Sequence, residues 1–169
     1  ANSATDGAAN MAKVKAVPGW RDKYPAFKWC ADLGEGWYLP SKEELRTIYN
    51  HKDKLNPKLT DKLSGCYWSS TETGYKFSSG EFSVWYVNMY SGITSSIKKS
   101  YNDNVNGNRC VRAVSAFGDS SNAVSVATTS APYKVGDYYN ENGKQGVVYE
   151  VSADGRHGKI VSMKQSQRG

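Results

Sequence analysis

Apolar residues recur about every four positions as far as Gly65 and about every two positions beyond it, so the chain commits to helices first and to sheet afterwards. Asp6 stands before Ala8, Ala9, Met11, Ala12, Val14 and Val17, the pattern of a capped amphipathic helix that Pro18-Gly19 ends. A second helix opens at Pro25, carries Ala26, Phe27, Cys30 and Leu33 on one face and stops at Gly34. Ser41 followed by Glu44 is a capping box, in which the serine oxygen accepts from the Glu44 amide while the carboxylate reaches back, and Leu45, Ile48 and Tyr49 form the buried stripe behind it. Asn56-Pro57 is expected to begin a further short helix through Leu59 and Leu63, closed by Gly65. Past that point Tyr67–Ser70, Phe82–Tyr90 and Ile93–Ile97 read as strands, the last entered through a turn at Ser91-Gly92, and Arg109–Val114 reads as a central strand. The expected class is α+β, helices packed on a small antiparallel sheet.

Residues 1–117 are expected to form that core. From 118 to 132 the composition falls to Ser, Ala, Thr, Val and Asn, with no long apolar side chain except Val124 and Val126, which reads as a linker. In 133–169, Val135–Tyr139, Gly146–Val151 and Gly158–Ser162 are three short strands, joined by turns at Asn140–Gly143 and Asp154–Gly158. Three strands of this size do not hold a core alone, so the segment must dock, on its own domain or on a neighbouring copy.

Charge and chemistry exclude several classes. The net charge of +6 is spread along the chain, and Lys98-Lys99 is the only adjacent basic pair before residue 115, whereas a nucleic-acid binder concentrates its cations on one element. No apolar run approaches the roughly 20 residues that cross a bilayer. Cys30, Cys66 and Cys110 lie far apart without a C-x-x-C pair, so no zinc site is expected. His51 and His157 belong to no motif with a nucleophile and an orienting acid, and Glu43 and Glu44 point about 100° apart on a helix, wrong for a paired acid and base. No catalytic residue, cofactor or metal is expected, and the chain reads as a non-enzyme.

Four stretches in order, Trp37–Leu45 (WYLPSKEEL), Tyr67–Glu72 (YWSSTE), Val84–Asn88 (VWYVN) with Gly92, and Arg109–Arg112 (RCVR), resemble the Fibrobacter succinogenes major paralogous domain, a family related to the C-terminal domain of the Legionella collagen-like adhesin. The resemblance covers residues 20 to 117. It implies a C-type-lectin-like fold, a secreted or bacterial cell-surface location, and ligand binding of the kind some members show, sulfated glycans in the case of the Legionella adhesin. It also implies a disulfide between Cys30 and Cys110, because such folds commonly bridge a helix cysteine to the final strand. A segment like Gly136–Tyr139 through Lys159–Ser162 precedes the helices in Bacteroidetes members, so the order here looks rotated. The strands then fold back on their own domain, as in a circular permutation, or insert into the next copy, or the chain is cut from a tandem array.

Lectin-like folds display binding loops where this chain has Lys98 to Asn108. Lys98, Lys99, Tyr101, Asn102, Asp103 and Asn104 are the expected ligand-binding residues, the lysines for sulfates and the tyrosine for a sugar face, with Arg109 and Arg112 extending the patch if they alternate outward. Asp103, Asn104, Asn106 and Asn108 carry oxygens suited to calcium, but the lectin calcium tripeptides are missing and no Glu follows. Trp68 is expected to fill the core, with the hydroxyls of Ser69 and Ser70 satisfying loop backbone. The expected partner is a glycan or host-surface ligand. The alternative is a filament subunit whose partners are copies of itself, assembled through Tyr138, Val147, Val148, Tyr149, Val151, Ile160 and Val161.

Overall fold

A computed structural model of the chain describes residues 1–100, 109–118 and 132–167. The helix signals before residue 51 hold. Asp6 caps α1 (Gly7–Lys15), its Oδ1 accepting from the Ala9 amide at 2.8 Å. A single turn, α2 (Trp20–Lys23), precedes α3 (Pro25–Asp32), which opens on its proline, and β1 (Trp37–Tyr38) leads into α4 (Lys42–Asn50). Both halves of the capping box are made, Ser41 Oγ accepting from Glu44 N at 3.3 Å and Glu44 Oε2 accepting from Ser41 N at 2.8 Å.

The helix expected after Asn56 does not form; the helical turn lies before it, as α5 (Lys52–Leu55). Side chains outcompete helical bonding there. Asn56 Oδ1 accepts from the Leu63 amide at 2.7 Å, and Lys62 Nζ donates to the carbonyls of Asn56 and Leu59 at 2.5 and 3.0 Å. Leu59 and Leu63 are buried all the same.

Two five-stranded sheets follow. One has the order β10-β5-β2-β3-β4, built from β2 (Cys66–Lys76), β3 (Phe82–Asn88), β4 (Thr94–Lys98), β5 (Cys110–Val111) and β10 (Ser166–Gln167). The other has the order β1-β6-β9-β8-β7, with β6 (Val114–Phe117), β7 (Tyr138–Glu141), β8 (Lys144–Val151) and β9 (Gly158–Ser162). The single strand expected over Arg109–Val114 is therefore two strands in different sheets, and Arg112-Ala113 carries the chain from one to the other.

The C-terminal segment pairs with β6 of the same chain. β9 runs antiparallel to β6 from Val161 opposite Val114 to Gly158 opposite Phe117. β7 and β8 turn through Asn142-Gly143 at φ 54° and 77°, the left-handed pair that a two-residue hairpin with native twist requires. Val147, Val148, Tyr149, Ile160 and Val161 are fully buried in a core shared with Leu45, Ile48, Tyr67 and Val87, Val151 packs at its edge, and Tyr138 is exposed. The residues read as a linker lie almost wholly outside those described.

Glu44 ties these parts together. Its Oε1 accepts from Tyr38 Oη at 2.9 Å and from Lys159 Nζ on β9 at 2.8 Å, and its Oε2 from the Gly7 amide at 3.2 Å. Gly7 has to be glycine, since a Cβ would fall 2.6 Å from that carboxylate oxygen and from the Leu39 carbonyl.

A chain ending at residue 118 loses the strands that cover β6 and should show no cooperative thermal transition by circular dichroism; a retained transition would contradict the shared core. Burial, and for Tyr38 the Glu44 carboxylate beside it, push the phenols of Tyr38 and Tyr149 well above the ordinary value. The unfolded chain ionises them near pH 10, so the stability they confer is complete below that pH and falls as pH climbs toward the folded values. Alkaline ultraviolet titration should release the last tyrosines only with unfolding, and smooth ionisation of all 12 in the folded protein would contradict the burial.

Candidate anion-binding site

Strand pairing sets Trp68 on β2 opposite Tyr86 on β3, and Tyr86 opposite Ser95 on β4, which places the three in a row on one sheet face. Arg109, the residue before β5, lays its guanidinium over both rings, 5.1 Å from the Trp68 centroid and 4.5 Å from that of Tyr86. All three side chains are half-buried. The Arg109 Nε is covered and has no hydrogen-bond partner among the described residues, so ring faces rather than acceptors hold the cation. Such a clamp fixes the plane of a group whose forked donors match a sulfate or carboxylate in bidentate fashion. Burial pushes the neighbouring Cys66 thiol up, and Arg109 pulls part of the way back.

The expected ligand-binding residues divide. Tyr101, Asn102, Asp103 and Asn104 lie outside the described residues, as do the calcium candidates Asn106 and Asn108. Lys98 stands 3.6 Å from the Glu81 carboxylate and 5.9 Å from the Phe77 ring centroid, and Lys99 is paired with Glu72 and 5.8 Å from the Tyr24 ring centroid. Burial raises the Glu72 carboxyl, but hydrogen bonds led by that from Lys99 bring it below its ordinary value.

Arg112 does not point outward. It is fully buried where the chain crosses between sheets, and there the C-terminal backbone needs donors. Its Nη1 donates to Ser162 O at 2.8 Å, and its Nη2 to Asp61 O at 2.5 Å and Gln165 Oε1 at 3.1 Å. Burial lowers its pKa from the arginine value, and its place is in the fold, not in the patch. Trp68, expected to fill the core, packs against it but stays half-exposed under Arg109. Sequence reasoning missed the pairing of Trp68 with Tyr86. The alternation around each was visible, but the register between the strands was not.

The Cys30–Cys110 bridge is not present. All three cysteines are thiols, Cys30 and Cys110 buried and Cys66 half-buried, and the Cys110 Sγ lies 3.5 Å from the Gln165 amide nitrogen. Ser152, Asp154 and His157 share one turn, in which Ser152 Oγ donates to Asp154 at 2.5 Å and accepts from the His157 backbone amide at 3.1 Å, an arrangement that ties the turn. No cluster of His, Cys, Asp or Glu suited to a metal occurs among the described residues, and no helix there is long and apolar enough to cross a membrane.

Thiol titration in denaturant without reductant should return three equivalents; a single equivalent would restore the disulfide. No family model, curated protein or solved structure matches the chain.

Proposed function

We propose that the chain is an extracellular, non-enzymatic binding module of C-type-lectin-like kind, which takes an anionic glycan at Arg109 with Trp68 and Tyr86, with Lys98 and Lys99 at the end of β4 as secondary contacts. The clamped guanidinium carries the reading: an arginine held by two ring faces pairs with no carboxylate among the described residues, and its charge is open to an outside anion. Aromatic rings beside it supply faces for sugar rings. The two lysines are partly exposed and already paired with Glu72 and Glu81. A partly exposed pair such as Lys98–Glu81 contributes about 1 kcal/mol or less, while Glu72 also holds the N-terminal ammonium group, so the lysines contribute less than Arg109.

The test is binding of heparin and of a neutral polysaccharide to the purified chain. Retention on heparin should fall with salt. Arg109→Gln should weaken it about tenfold or more, as the loss of a charge-assisted hydrogen bond of about 1.5–3 kcal/mol implies, and Lys98→Ala with Lys99→Ala should weaken it less. Unchanged affinity in Arg109→Gln would remove the site, and equal binding of the neutral polymer would remove the preference for anions.

A further inference from the structure

Six lysines that the sequence scatters from residue 52 to residue 164 are brought together by the fold. Lys58 Nζ donates to the Gly136 carbonyl at 3.0 Å, and the Lys54 backbone lies 3.3 Å from where a Gly136 Cβ would stand, so Lys54 and Lys58 border the turn that carries Lys134. At the other end of the same loop the Asp61 amide donates to Met163 O at 3.0 Å and the Gln165 amide to Asp61 Oδ2 at 3.0 Å, which sets Lys62 beside Lys164. Lys54, Lys58, Lys62, Lys134 and Lys164 are exposed and Lys52 is half-buried.

Their charge exceeds that of the acids beside them. Lys28, Lys98, Lys99 and Lys159 each pair with a carboxylate, whereas none of these six enters an ion pair among the described residues. Lys52 donates instead to the Met89 carbonyl, and Lys58 and Lys62 likewise donate to backbone carbonyls, which hold an ammonium group without cancelling its charge. The acids alongside are Asp53, Asp61 and Asp137; Asp61 is engaged by the Gln165 amide and Asp137 by the Lys134 amide. The face therefore carries half of the chain's formal +6. Like charges gathered in this way oppose compaction, and a bound polyanion relieves them while releasing its own counterions.

The lysines follow one loop and its two flanks, Lys134 to Lys54, Lys58, Lys62 and Lys164, which makes a track for a linear polymer and not a pocket for a small anion. Lysine offers a point charge without a recognition fork, so the face selects for charge density and not for the shape of one group. We infer that this track binds a sulfated or carboxylated polysaccharide along its length, by charge density alone. The class of ligand rests on the function proposed above, and the track is a second contact for the same polymer, which raises avidity without any new contact at Arg109.

The experiment measures heparin binding by the full chain across a series of salt concentrations. Lys54→Gln/Lys58→Gln/Lys62→Gln should lower the slope of log affinity against log salt by about two to three and weaken binding about tenfold near physiological salt. Lys54→Gln/Lys164→Gln removes ammonium groups that donate to no described residue, so the fold stays intact, and should lower the slope by about one to two. Unchanged slopes in both lysine variants overturn the track, whatever Arg109→Gln does. Reduced slopes with wild-type behaviour of Arg109→Gln sustain the track and overturn the Arg109 site. Duplex DNA bound as tightly as heparin, with the same dependence on the lysines, overturns the polysaccharide as occupant, and a wild-type chain that binds neither polyanion overturns the track outright.

Discussion

The Glu44 carboxylate is the point on which the arrangement turns. It is 5% exposed, so its charge has lost most of its water, and four donors replace that water: the amides of Gly7 and Ser41, the Tyr38 hydroxyl and the Lys159 ammonium group. Those donors come from the starts of α1 and α4, from β1 and from β9, so one side chain sets the N-terminal helices against the C-terminal strands. A buried charge of this kind is costly unless every partner is present, and losing any partner leaves a desolvated group behind. It therefore selects a single packing more sharply than apolar contact does, while the burial of Leu45, Ile48, Val147 and Ile160 around it supplies the driving force.

The candidate site inherits its geometry from this packing. β9 fixes β6, and the crossing at Arg112 fixes β5 relative to β6, because the buried guanidinium bonds Ser162 at the end of β9 together with Asp61 and Gln165. β5 lies against β2 with Cys110 opposite Tyr67, and the residue before it, Arg109, is thereby delivered onto the rings of Trp68 and Tyr86. Two arginines three residues apart thus take opposite roles: one is consumed by the backbone of the C-terminal segment, the other is left facing two rings.

Local signals were legible and nonlocal ones were not. The caps at Asp6 and Ser41 and the Pro25 start depend on neighbours within four residues, and each helix they announce is present. The Asn56 helix failed because Asn56 and Lys62 satisfy the backbone with their side chains, a competition that spacing does not reveal. Arg109 to Val114 has the composition of one continuous strand; the break comes from two sheets competing for its halves, and the burial of Arg112 needs carbonyls contributed from residues 61 and 162. The lysine track was invisible for the same reason, since the evenness of charge along the sequence says nothing about which loops lie side by side.

The most direct test of the account is a double-mutant cycle between Glu44→Gln and Lys159→Met, read by urea unfolding at nanomolar and micromolar chain concentrations. If Glu44 joins the C-terminal strands to the helices of the same chain, the two substitutions will be non-additive by about 1–3 kcal/mol, and every midpoint will be independent of concentration. Additive effects, or midpoints that rise with concentration, would show that the carboxylate does not hold the strands in place within one chain.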